Sequence, residues 1–315
     1  MSSSCRQNGF TLIELIMVIV ITGILAGIVA IFIKTPVDQY LAIARRAAIT
    51  DIADTAMRRM GRDIRTAVPN SVRLMTSSTS TYLEFLPTGV TVNGVLQGGG
   101  GRYRANSAGG SLCSAVAGND GSDALSFSAT DSCFEILGPQ ITFTNNSSPN
   151  DMIVVGSTQS DGNLPYQDPS SSGSIRRAYV GTIATSTSIA VITPVVTPTP
   201  LALPYSAMIS PSYRFDIVPG SQQAVTYACE GTLGSLDANG DGQGTLTRYW
   251  AYGFNAAQAI PTGGSSALLA NKVKECSIVY AGSDPRNALV AISLTITRGN
   301  ESARLYQEVH VNNLP

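Results

Sequence analysis

Two patches of this sequence carry residue types at spacings that could do chemistry. The first is Gly9-Phe10-Thr11-Leu12-Ile13-Glu14-Leu15, in which a glycine precedes a phenylalanine and a carboxylate stands inside an apolar run. A carboxylate in hydrocarbon is costly and marks function, so Glu14 calls for a cation. Cutting the chain after Gly9 would create one, the α-amino group of Phe10, available to Glu14 of a neighbouring copy. The second patch is Asp237-Ala238-Asn239-Gly240-Asp241-Gly242. It has oxygen donors at alternate positions and then a turn glycine, like the opening of a calcium loop. The twelfth position of such a loop should be a bidentate glutamate, and here it is Arg248. An Asx- and glycine-rich hairpin turn explains the same residues. Asp237, Asn239 and Asp241 therefore stand as a weak calcium candidate that needs ligands from elsewhere, and no other cofactor is expected.

No catalytic constellation emerges beyond these patches. There is one histidine, His310, which excludes HExxH sites and multi-histidine catalysis. It falls on the polar side of an alternating segment and reads as a surface residue. Gly98 to Gly101 lacks the GK[ST] continuation and the following helix of a phosphate-cradling loop, so it reads as a flexible surface loop. None of the five cysteines forms a CxxC pair. The net charge of −1 gives no electrostatic footprint for nucleic acid. The sequence predicts a protein that is not an enzyme.

Glu14 has to be positioned by the run from Phe10 to Ile33, which is almost wholly apolar. At ~1.5 Å per residue this helix would reach about 36 Å, enough to cross a hydrocarbon core of ~30 Å. The run is too long for a secretory signal, whose apolar stretch is roughly 7–15 residues with the cleavage site after it. Helical periodicity continues through Leu41, Ala44, Ala48, Ile52, Ala56, Met60 and Ile64. Arg45, Arg46, Arg58, Arg59 and Arg62 fall mainly on a solvated face, with Asp54–Arg58 and Arg59–Asp63 at i,i+4 spacing. Pro36 predicts a kink or local loosening, and Pro69-Asn70 the end of the helix.

The remainder reads as β. Charged residues are only 13% of the chain, against roughly 25% in ordinary soluble proteins, and glycine, proline, serine and threonine are abundant. Strands are expected at Thr81–Leu86, Gln140–Thr144, Met152–Val155 and Ile189–Ile192, with polar loops at Asp161–Ser174 and an extended proline-rich join at Thr193–Pro204. The C-terminus is a hairpin. Val290, Ile292, Leu294 and Ile296 alternate with small or polar residues, and Arg298-Gly299-Asn300-Glu301 turns the chain. Ala303, Leu305, Val309 and Val311 then share one face, with Arg304, Tyr306, Glu308 and His310 on the other. The expected fold is α+β, a long N-terminal helix packed on antiparallel sheets. The expected divisions are 1–9, 10–34, 35–69 and a β-rich head at 70–315.

The first patch, followed by a long apolar helix, resembles the processing site of type IV prepilins and of type II secretion pseudopilins. The resemblance implies that a membrane prepilin peptidase cuts between Gly9 and Phe10 and that Phe10 is N-methylated. It also implies that Glu14 helps to register subunits during assembly. Arg58-Arg59-Met60, the stretch Asp63-Ile64-Arg65-Thr66-Ala67-Val68-Pro69-Asn70, Tyr252-Gly253-Phe254-Asn255, and the ending Val309-His310-Val311-Asn312-Asn313-Leu314-Pro315 are similar to minor pilins of the mannose-sensitive haemagglutinin (MSHA) pilus system. The partners implied are other minor and major pilins, the peptidase, the inner-membrane assembly platform and the membrane itself, with no nucleic acid. The implied location is the inner membrane with a periplasmic head, and then the pilus. Cys5 leaves with the leader, so four cysteines remain. Three pairings are open. Cys113–Cys133 and Cys229–Cys276 are preferred because each closes a local loop. Three roles remain: a structural subunit that initiates or caps a pilus, a tip adhesin for a surface or glycan, and, least supported, an anchored enzyme.

Overall fold

The computed structural model describes residues 11–77, 79–92, 95–97, 99–105, 112–113, 122–125, 133–137, 151–156, 164–166, 177–180, 189–193, 213–282 and 287–313. The chain divides into two compact units, Met1–Ala48 and Ile49–Pro315. Helix α1, Leu12–Arg65, runs through both and stays helical across Pro36. The proline forfeits one i→i−4 hydrogen bond there without ending the helix.

In the first unit the described side chains from Leu12 onward are exposed, Ala42 alone being half-covered. The hydroxyl of Thr22 donates to the Val18 carbonyl at 2.7 Å, so its polar group is satisfied within its own helix.

In the second unit α1 gains a buried face. Ile49, Ala53, Ala56, Met57, Met60 and Ile64 are each at most 3% exposed. The stripe expected from periodicity is thus shifted. Leu41, Ala44 and Ala48 are exposed and Ile52 is half-buried, while Ile49, Ala53 and Met57 carry the packing. The helix ends at Arg65, where the amides of Thr66 and Ala67 reach back three residues to Asp63 and Ile64, tightening the last turn.

The first five strands are β1 (Arg73–Thr76), β2 (Thr81–Phe85), β3 (Val90–Val92), β4 (Val95–Gln97) and β5 (Gly100–Tyr103). Next come β6 (Cys133–Leu137), β7 (Met152–Val155), β8 (Arg177–Val180), β9 (Ile189–Thr193) and β10 (Arg214–Val218). The last are β11 (Val225–Leu236), β12 (Gly242–Trp250), β13 (Ser265–Ala281), β14 (Asn287–Arg298) and β15 (Glu301–Asn312). A seven-stranded antiparallel sheet has the order β1-β2-β11-β12-β13-β14-β15. Its inner face packs Leu83, Phe85, Val225, Tyr227, Leu246, Val290, Ile292, Leu294 and Val309 with the buried stripe of α1. Gly61 of α1 lies so near β15 that a Cβ there would sit 2.6 Å from the Gln307 amide nitrogen. The β14–β15 hairpin turns on Gly299 and Asn300, with φ of 57° and 65°, the left-handed pair a two-residue loop requires. Alternation along β15 is as expected from its sequence, with Val309 and Val311 buried and Arg304, Tyr306, Glu308 and His310 exposed.

The second body is a closed barrel, β10-β5-β6-β9-β8-β7. Tyr103, Phe134, Ile136, Ile153, Val155, Ala178, Val180, Phe215 and Ile217 fill it. The expected glycine loop is corrected here, because Gly100 and Gly101 begin strand β5. A Cβ on Gly100 would lie 2.9 Å from the Phe215 carbonyl oxygen, so the glycine permits close pairing with β10. Strands at 81–85, 152–155 and 189–193 fall where expected, whereas 140–144 and 194–204 lie outside the described residues. Within the polar stretch 161–174 the structure has a 3-10 turn, Leu164–Tyr166, whose Tyr166 is fully buried. The architecture is α+β, a long N-terminal helix with antiparallel curled sheets.

Candidate functional site

Gly9 and Phe10 lie outside the described residues. Thr11 precedes the first helical residue, and Leu15 N–H donates to the Thr11 carbonyl at 3.2 Å. The Glu14 amide approaches Thr11 Oγ1 at 3.4 Å, and Thr11 Oγ1 approaches Glu14 Oε2 at 3.4 Å. This is one arm of a capping box, the Thr11 hydroxyl facing the amide three residues on, while the carboxylate meets that hydroxyl rather than the Thr11 amide. Glu14 also lies in the first turn, where the helix dipole favours negative charge. Among the described residues no cation pairs with it. Beyond Glu14 the helix presents Leu15, Ile16, Val18, Ile19, Ile21, Leu25, Ile28 and Phe32 on all sides, and none is buried. Such a segment has the length and composition of a single-pass membrane anchor.

Residues 4–30 match the family model described as the prokaryotic N-terminal methylation motif. The match spans the Gly9–Phe10 junction, Glu14 and most of the apolar run, so the chain carries a type IV prepilin-type signal. That signal implies processing by a prepilin peptidase and assembly with other pilin-like chains. No curated protein matches the chain, and no solved structure matches it.

The other candidate residues are in the head. Cys113 is joined to Cys133 and Cys229 to Cys276, with Cα separations of 5.7 and 6.1 Å. The second bridge links β11 to β13 over β12. At the calcium candidate, Asp237 Oδ1 accepts the amides of Asn239 and Asp241, both at 2.8 Å. Asp241 accepts the Gly299 amide at 2.7 Å and the Lys272 ammonium. The Lys272 hydrogen bond and then the Gly299 amide hold the Asp241 carboxyl below its ordinary pKa. The patch is thus an Asx turn locked onto the β14–β15 turn, with an ammonium where a cation ligand set would need room. Among the described residues no cluster of three metal-ligating side chains forms. His310 is exposed on the outer face of β15.

The structure assembles two polar clusters that sequence reasoning missed. Asp63 does not serve as the i,i+4 partner of Arg59. Its Oδ2 accepts Arg248 Nε at 2.9 Å and the Tyr227 hydroxyl at 2.7 Å, tying the end of α1 to β11 and β12. Burial, followed by the Asp63 charge, pushes the Tyr227 phenol well up. Arg248, the misfit of the calcium reading, belongs to this contact. The second cluster pairs Arg73 of β1 with Glu84 of β2 at 2.6 Å, the two side chains 8% and 0% exposed. The Tyr252 hydroxyl donates to the other Glu84 oxygen at 2.7 Å. No spacing in the sequence marks Arg73 and Glu84 as partners, because a charge at alternate strand positions reads as solvated.

Proposed function

We propose that this chain is a minor type IV pilin of the MSHA kind, similar to MshO, and that it enters the pilus at its priming or tip region. The observation that carries the reading is the methylation motif at residues 4–30 on a helix that continues into a head of two β bodies. After leader removal the Phe10 amine of one subunit would neutralise Glu14 of its neighbour within the bilayer. A head this large would crowd a close-packed shaft, which favours a few copies at an end over an abundant shaft role. The retained Glu14 allows this subunit to sit beneath another. The role is structural, with no catalytic step. The larger minor pseudopilins of type II secretion share the general plan and the same processing chemistry, so the test must separate piliation from secretion.

Deleting the coding sequence should abolish or sharply reduce surface pili while leaving secreted enzyme activity intact. In sheared pili from the complemented strain, quantitative mass spectrometry should find the chain far below the shaft subunit and beginning at methylated Phe10. Normal piliation in the deletion strain, or equal stoichiometry with the shaft subunit, would overturn the assignment.

A further inference from the structure

A third apolar cluster lies between the cores of the sheet and the barrel. It gathers Val68, Leu86, Met152, Val154, Tyr166, Val218 and Ala224, with Tyr179, Tyr252 and Phe254 packed against it. Strand β7 explains how it forms. Ile153 and Val155 point into the barrel core, so Met152 and Val154 point outward into this joint. Residues 86–99 and 219–224 cross between the two bodies covalently. The segment 251–264 is different, because it begins at β12 and ends at β13, both in the sheet. Nothing in the connectivity obliges it to touch the barrel, yet Tyr252 and Phe254 pack there.

The contacts at this segment are reciprocal. Arg73, from the sheet, stacks its guanidinium 3.6 Å from the ring centre of Tyr166, which lies between barrel strands β7 and β8. Arg177, from barrel strand β8, lies 4.1 Å from the ring centre of Phe254 in the segment. Arg73 also donates to the carbonyls of Ala256 and Asn255 at 2.9 and 2.7 Å. The Tyr166 hydroxyl returns to the Ser71 carbonyl at 2.8 Å. Gln223 Oε1 accepts the Gly253 amide at 2.7 Å, and the Gln258 amide donates to the Tyr82 carbonyl at 3.0 Å. Each body thus lays an arginine on an aromatic ring belonging to the other.

We propose that the strap 251–264 is a clasp that fixes the barrel on the sheet, with Arg73 and Arg177 as its two pins. Releasing it frees the barrel to move as a body while the sheet and barrel cores stay intact. The buried Arg73–Glu84 pair has a role beyond local stability, since it holds the strap's carbonyls in place. The orientation of the barrel relative to the sheet is then set by side chains and is open to change without unfolding.

The test is hydrogen exchange followed by mass spectrometry on the full chain in detergent with its disulfides intact. Phe254→Leu keeps apolar volume but removes the ring from Arg177. Arg73→Lys keeps a charge for Glu84 but loses the forked contact with two carbonyls. Both variants should raise exchange about tenfold in the strap and in the 164–166 turn together, as expected for losing a desolvated cation–π contact. The β14–β15 hairpin should exchange at the wild-type rate. If the strap loosens while 164–166 stays at the wild-type rate, the strap is a passive loop and the proposal fails. It also fails if the β14–β15 hairpin loosens to the same degree, because sheet and joint would then be one cooperative core.

Discussion

The apolar residues in the two parts of helix α1 meet different fates. From Leu12 to Ala48 the described apolar side chains other than Ala42 are exposed. From Ile49 to Arg65 one face is sealed against the sheet while Arg58, Arg62 and Arg65 stay in water. The difference separates two meanings of an exposed apolar residue. In the lower part exposure would be a defect, and the sheet removes it. In the upper part it is a vacancy for lipid and for other pilin-like helices, and Glu14 is the single carboxylate of its apolar run from Leu12 to Ile33.

Five substitutions test how far this contrast holds. The largest effect is expected at Glu14→Ala. Leaving the Phe10 amine of a neighbour buried without its partner costs about 3–5 kcal/mol, so incorporation into pili should fall about a hundredfold or more. Leader cleavage, followed by mass spectrometry, should be unchanged, and normal piliation would show the charge pair to be dispensable. Met60→Ala comes next. Met60 is fully buried in the lower part, and its truncation should destabilise the head by about 2–5 kcal/mol in urea unfolding. Ile24→Ala, in the upper part, should leave that unfolding curve in place. Asp63→Asn weakens the contact with Arg248, whose side chain is 6% exposed. Asp63 itself is partly solvated, so the loss should be about 1–3 kcal/mol, read in the same assay. Arg58→Ala removes only the exposed pair with Asp54, and no change in the unfolding midpoint should be detectable.

What was legible in the sequence follows the same physical line. The N-terminal patch is readable because a carboxylate and a junction glycine are rare in an apolar helix. The β14–β15 hairpin is readable because one face is wet and one dry, so Val309 and Val311 alternate with Glu308 and His310. The barrel is harder to read. Met152-Ile153-Val154-Val155 is buried on both sides, so it has no alternation to announce which residues face the barrel and which the joint. Gly100 looks like loop chemistry although it serves close strand pairing. Arg73 and Glu84 look solvated because the strap that meets them comes from distant sequence, and Asp63 because its partners Tyr227 and Arg248 do. The start of the buried stripe at Ile49 is invisible to periodicity, since Leu41, Ala44 and Ala48 continue the same spacing.

Thr22 carries a consequence for life in the bilayer. Between Leu12 and Ile33 the polar side chains are Glu14 and Thr22, and the Thr22 hydroxyl is turned back onto Val18 of its own helix. It donates no lateral hydrogen bond to a passing helix, and the isoleucines and valines around it are as oily as lipid tails. Close approach of a second helix along this stretch falls instead to the small residues Gly23 and Gly27, four apart on one face. Charge recognition within the membrane is concentrated in the first turn, so helices that meet at the glycines still take their register from the end that presents the matching charge.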